Sequence, residues 1–138
     1  LIGNEMVKHG SGKILNVSST ASYMPGPLQA TYFATKAFVS SFSQAIAEEL
    51  KGTGVTVTAL EPGAVATEFF ETANLTGTKL GADSASADAV AKIGYDAMLA
   101  GKLTIINDPK LRFALGWLMP YMPRKMKLKM VRDMQEKS

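Results

Sequence analysis

Three short runs, "KILNV" (13–17), "VTVTAL" (55–60) and "KLTIIN" (102–107), are separated by two segments of helical period, and no other feature of the chain restricts its fold as much. Parallel strands cannot be joined by a tight hairpin; a crossover of helical length is what lets successive strands lie side by side in one direction. The order strand, helix, strand, helix, strand therefore predicts an open, mostly parallel sheet with helices on its faces, an α/β fold. The first strand carries Ile14, Leu15 and Val17 between glycine and two serines, the look of a buried strand. The second alternates Val55, Val57 and Ala59 with threonines and ends at Glu61, Pro62 and Gly63. A helix is expected from about residue 31 to 51, with Phe38, Phe42, Ala45 and Ile46 as its apolar stripe and Gly52 and Gly54 as its stop. A second is expected over 86–101, capped by Ser86, with Val90, Ile93, Ala97 and Met98 inward and Gly101 at its end. Residues 64–85 lack a period and are expected to form a mobile loop with one short helix.

At 138 residues, 46% hydrophobic and 20% charged, the chain has the size of one core-forming domain. It has no cysteine, which excludes disulfides and thiolate metal sites, and its single histidine, His9, argues against a histidine-cluster metal site. No metal and a cytoplasmic location are the expectations. Residues 1–109 carry 7 Lys/Arg against 10 Asp/Glu, whereas residues 110–138 carry 8 against 2. This asymmetry divides the chain into a body, 1–109, and a basic amphipathic segment, 110–138. Met126, Met130 and Met134 form one helical stripe there, flanked by Lys125, Lys129 and Arg132. Such a stripe usually packs on its own domain; preceded by "FALGWLMPYMP" (113–123), it also suits peripheral contact with an anionic membrane surface. No run approaches the roughly 18 apolar residues of a membrane span. Nucleic acid is not an expected partner, because the basic residues have little aromatic interleaving.

In open α/β sheets ligands gather beyond the carboxyl ends of the strands. Ser18 and Ser19 end the first strand, Glu61, Pro62 and Gly63 the second, and Tyr32 and Lys36 open the helix between them. Four residues apart on a helix, Tyr32 and Lys36 share a face. A free tyrosine ionises near pH ~10, so it exchanges protons at neutral pH only where a cation stabilises the phenolate, which Lys36 is placed to do. Ser19 can then hold a carbonyl oxygen while Tyr32 protonates it. Tyr121 and Lys125 repeat the spacing but follow no strand and contain Pro123, which disfavours the aligning turn. Ser18 is expected to bond local backbone, and His9 and Asn16 to be structural.

The stretch "KILNVSSTASYMPGPLQATYFATKAFVSSFSQAIAEEL" followed by "VTVTALEPGAVATEF" resembles the second half of the short-chain dehydrogenase/reductase family. In that family a serine precedes the tyrosine by the thirteen residues that separate Ser19 from Tyr32, which selects Ser19 over Ser18. The resemblance implies the C-terminal half of a Rossmann-like doubly wound parallel sheet. It implies hydride transfer between NADP or NAD and a carbonyl or alcohol substrate, with Tyr32 as acid and base, Lys36 lowering its pKa and bonding the nicotinamide ribose, and Ser19 orienting the carbonyl. "PGAVAT" (62–67) resembles the loop around the nicotinamide end, shaped by Pro62 and Gly63, with backbone contacts from Val65 and a hydroxyl from Thr67. Phe69, Phe70 and Leu75 suggest an apolar substrate. The family's glycine-rich phosphate loop follows a strand and opens a helix, whereas "HGSG" (9–12) and "GTG" (52–54) each precede a strand. That loop, the Asn-Ala-Gly element and the fourth catalytic asparagine are expected before Leu1, in a longer protein; Asn4 lies too close to Ser19 for that role. Phe33, Ala37, Phe38 and Phe42 make the first long helix apolar on more than one side, buried either against the sheet and a neighbouring helix or, as in many relatives, against another subunit, and a homo-oligomer is expected. The rival reading keeps the fold without catalysis, as a scaffold or a membrane-surface protein acting through its tail.

Overall fold

The computed structural model describes residues 2–66 and 85–136. Along the chain run α1 (Ile2–His9), β1 (Gly12–Val17), a 3-10 turn (Thr20–Tyr23), α2 (Ala30–Glu49), β2 (Val55–Leu60), β3 (Val65–Ala66), β4 (Ala85–Ser86), α3 (Ala87–Leu99), β5 (Thr104–Ile105), α4 (Pro109–Phe113) and α5 (Arg124–Gln135). β2 lies between β1 and β5, parallel to both. The register runs from Gly12 opposite Val55 to Val17 opposite Leu60, and Leu60 also faces Ile105. The α/β architecture with a parallel sheet is thus the one the alternating pattern predicts.

Several details differ from the sequence expectation. The third strand is two residues long rather than six, because Ile106 turns its side chain into the core and the Asn107 side chain takes a hydrogen bond from Gly63 N (2.9 Å). β3 and β4 form a separate two-residue parallel pair at the edges of the 64–85 stretch, with Val65 opposite Ala85; residues 67–84 lie outside the described residues. Ser86 does stand at the N-cap of α3 with extended backbone, but its side chain makes no capping bond.

Beneath α3 the strands are packed with hydrocarbon. Val90 and Ala97 are buried on the face of β2 that carries Leu60, whereas Val55, Val57 and Ala59, also buried, alternate to the opposite face. Gly94 permits the close approach, since a Cβ there would stand 2.6 Å from Leu60 Cδ2. Thr58, fully buried, satisfies its hydroxyl on Lys102 O (2.6 Å). At the opposite, amino end of the strands Gly54 takes φ +81, and a Cβ there would lie 1.9 Å from Gly10 O, so only glycine lets these two turns touch.

A second apolar cluster, Ile106, Leu115 and Met119, gathers Tyr23, Met24, Leu111, Met122 and Met130 around it and seats the segment after β5. Asp108 starts that segment by accepting from Lys110 N and Leu111 N, with Pro109 at the first helical position. Helical backbone continues to Tyr121, burying Leu115 and Met119 on one side and leaving Phe113, Trp117, Leu118 and Tyr121 exposed. α5 buries Val131 and Gln135, while Met126 of the expected methionine stripe is exposed. No described helix is long and apolar enough to cross a membrane.

Of the two placements open for its apolar side, α2 does not take the one that buries Phe38 and Phe42 against the sheet. Its buried residues are Ser40 and Ser43, whereas Phe38 (67%) and Phe42 (48%) are exposed and stack on one another at 5.8 Å. The reason lies in what the helix faces. β1 offers Asn16, whose Nδ2 donates to Ser43 Oγ (2.9 Å), and the residue after β1 is Ser18, so the inner face of α2 must supply polar partners.

Candidate active site

The hydrogen-bonded ladder between β1 and β2 runs on past both strand ends: Ser18 N donates to Leu60 O (2.7 Å) and Thr20 N to Pro62 O (2.9 Å). This brings the segment 18–20 and the segment 61–63 together at one edge. Ser19 caps the 3-10 turn there, its Oγ accepting from Ala21 N (3.1 Å) and donating a long bond to Pro62 O (3.4 Å). A bond that long is readily exchanged for a better acceptor.

Tyr32 and Lys36 occupy the first two turns of α2. Lys36 Nζ lies 5.8 Å from the centroid of the Tyr32 ring, within reach of a cation–π contact, and donates to Val17 O at the end of β1 (3.1 Å). Burial of the ammonium pushes the Lys36 pKa below its ordinary value. The Tyr32 ring meets Phe33 edge-on at 5.9 Å.

Of the residues expected around a nicotinamide, Pro62 uses its carbonyl to fasten the Ser19–Thr20 turn, and Gly63 is held through its N–H by Asn107 and packs so that a Cβ would stand 3.0 Å from Leu111. Val65 is half-buried in β3. Thr67 lies outside the described residues, as do Phe69, Phe70 and Leu75. The repeated spacing of Tyr121 and Lys125 does not form one turn: Tyr121 ends a 3-10 turn, Met122 is extended, and Pro123 caps α5.

A buried polar network under the site was not anticipated from the sequence. Glu61, 1% exposed, accepts from Ser40 Oγ (2.5 Å) and Tyr23 Oη (2.6 Å). Ser40 Oγ also lies 3.0 Å from Ser18 Oγ, which donates to Lys36 O (2.8 Å). Burial first, and then the hydrogen bond to Glu61, hold the Tyr23 phenol well above the usual tyrosine range. A signal for part of this was present in the sequence: Tyr32, Lys36, Ser40 and Ser43 recur at helical spacing and form one polar stripe.

Residues 1–78, more than half of the chain, match the family model described as short chain dehydrogenase. The chain belongs to the short-chain dehydrogenase family. It is 33% identical over 126 residues to the very-long-chain 3-oxoacyl-CoA reductase of Mus musculus, covering 91% of this chain and 38% of that protein. It is 46% identical over 69 residues to a 3-oxoacyl-[acyl-carrier-protein] reductase of Synechocystis sp., covering 50% and 28%. Among solved structures, a short-chain dehydrogenase from Sphingobium yanoikuyae in complex with NADPH aligns with a TM-score of 0.70 at 25% identity, over 89% of this chain and 50% of that one. A 7beta-hydroxysteroid dehydrogenase aligns with a TM-score of 0.78 at 20% identity, over 95% and 51%, a likeness of fold. The chain therefore spans about half the length of these solved structures and little more than a third, or less, of the curated relatives.

Proposed function

We propose that this chain carries the proton-transfer side of a nicotinamide-dependent oxidoreductase acting on a carbonyl or alcohol. In the reducing direction Ser19 donates a hydrogen bond to the substrate carbonyl oxygen, releasing its long bond to Pro62 O, and Tyr32 gives that oxygen a proton. Lys36 stabilises the phenolate left behind through the positive charge it holds beside the ring. The observation that carries the reading is that all three side chains stem from one sheet edge, with Lys36 tied to Val17 O and the Ser19 turn tied to Pro62 O.

The residues at this edge fit the nicotinamide ribose of NADP or NAD. An ammonium has three donors, and Val17 O takes one from Lys36, leaving the group able to reach a ribose hydroxyl. Pro62, Gly63, Val65 and Thr67 would border the nicotinamide itself. When bound, the nucleotide supplies the hydride. For the substrate, 3-oxoacyl thioesters are the first class to try, since two relatives are named as reductases of 3-oxoacyl compounds. The exposed, stacked Phe38 and Phe42 support an assembly in which α2 meets a second copy of the chain.

The decisive test is Tyr32→Phe in the intact protein, with NADPH and acetoacetyl-CoA as probes. General acid catalysis contributes about 10²- to 10⁴-fold, so kcat should fall by at least about a hundredfold while NADPH binding and thermal stability stay unchanged. Retained turnover overturns the assignment.

A further inference from the structure

Glu61 touches both elements that carry the proposed catalytic groups. One of its oxygens accepts from Ser40, which stands on α2 eight residues after Tyr32 and four after Lys36, on their face of the helix. The other accepts from Tyr23, the last residue of the 3-10 turn that Ser19 caps. The carboxyl group is almost wholly shielded from water, so neither partner is readily replaced by solvent. Ser40 adds a contact to Ser18, whose own proton goes to the carbonyl of Lys36.

We propose that Glu61 is the positioning residue of this site, fixing the rotation of α2, and with it Tyr32 and Lys36, against the turn that presents Ser19. The inference rests on the Tyr32, Lys36 and Ser19 reading above and deepens it. The requirement is geometric. The side chain must end in two hydrogen-bonding atoms set apart widely enough to engage Ser40 on one side and Tyr23 on the other. Glutamine satisfies it: its oxygen accepts from Tyr23, its amide donates to Ser40, and Ser40 turns its proton to Ser18. Leucine fills a similar volume and satisfies neither partner.

The intact protein is compared as wild type, Glu61→Gln, Glu61→Leu and the double variant Tyr23→Phe with Ser40→Ala, using NADPH and acetoacetyl-CoA. Glu61→Gln should keep kcat within about threefold, whereas Glu61→Leu and the double variant lose about thirtyfold or more with NADPH affinity within about twofold. If Glu61→Leu does not fold, the double variant carries the comparison alone. Amide hydrogen exchange gives a readout independent of turnover: exchange in both 20–24 and 32–40 should quicken in the double variant and stay unchanged in Glu61→Gln. An unimpaired double variant, exchange unchanged in both segments, or a Glu61→Gln as impaired as Glu61→Leu would each overturn the proposal. Turnover that survives Tyr32→Phe breaks the catalytic reading instead and leaves the exchange comparison standing.

Discussion

α2 and α3 are seated on opposite faces of the same strands, and α2 adds directional contacts to the apolar ones. α3 meets β2 through Gly94 against Leu60, with Val90 and Ala97 buried on the same side of the helix, and the segment after β5 continues in that style with Ile106, Leu115 and Met119. α2 meets β1 and the ends of the strands through Ser40, Ser43, Asn16, Ser18 and Glu61, turning two phenylalanines outward. Apolar burial is strong but non-directional, and it tolerates a helix rotated by a few degrees. Hydrogen bonds fix distance and angle. The helix that bears the proposed proton donor is the one seated by directional contacts.

The widest gap between the two regions should appear on truncation. Leu115→Ala removes a nearly fully buried side chain from the apolar cluster and should cost about 2–5 kcal/mol in urea unfolding, as one cooperative transition. A loss that small changes elsewhere could match, or a separate transition, would mean that residues 110–138 stand apart from the body 1–109. On the polar side, Ser43→Ala leaves Asn16 Nδ2 without its acceptor and should cost about 1–3 kcal/mol. A double-mutant cycle with Asn16→Leu should show strong coupling, and additive losses would deny that the seam is a unit.

Alkaline titration separates two members of the polar region by sign. The Tyr23 phenol is raised above its ordinary value of 10.0, so above about pH 10 the folded chain holds a proton the unfolded chain gives up. Its stabilising contribution is complete below that pH and falls as pH rises further. The Lys36 ammonium is lowered from 10.5, so between its folded value and 10.5 the unfolded chain binds more protons and stability rises with pH. Tyr23→Phe should abolish the fall and Lys36→Met the rise, measured by urea midpoints across the alkaline range. The smallest effect on stability belongs to Phe38→Ser, within about 0.5 kcal/mol because the ring is already in solvent. Sedimentation of the intact protein should nevertheless show weaker self-association. A loss comparable to that of Leu115→Ala would mean that the ring is packed inside the domain instead.

What the sequence made legible was local. β-branched content marked β2, glycines marked the ends of the helices, and the thirteen-residue spacing of Ser19 and Tyr32 lies within one turn and the start of one helix. What it hid depends on distant partners. Glu61 reads as the first residue of a turn, because Ser40 lies 21 positions away and Tyr23 38. The apolar stripe of α2 could be assigned to the sheet or to another subunit because period reports which residues share a face, and cannot report that β1 offers the inner face an asparagine and a serine. β3 and β4 pair over two residues each, too few to leave a pattern.

The central place of β2 also has a consequence in time. Each residue of β1 pairs with one 43 positions later, and Ala59 waits for Thr104, 45 positions on. Helices form locally in about a microsecond or less, whereas pairings this far apart must first close long loops and are correspondingly slow. Glu61 follows β2 directly, where both closures converge, and its bridge to the Ser19 turn depends on the register of β1 on β2. A chain that pairs β1 and β2 out of register therefore has no site to complete.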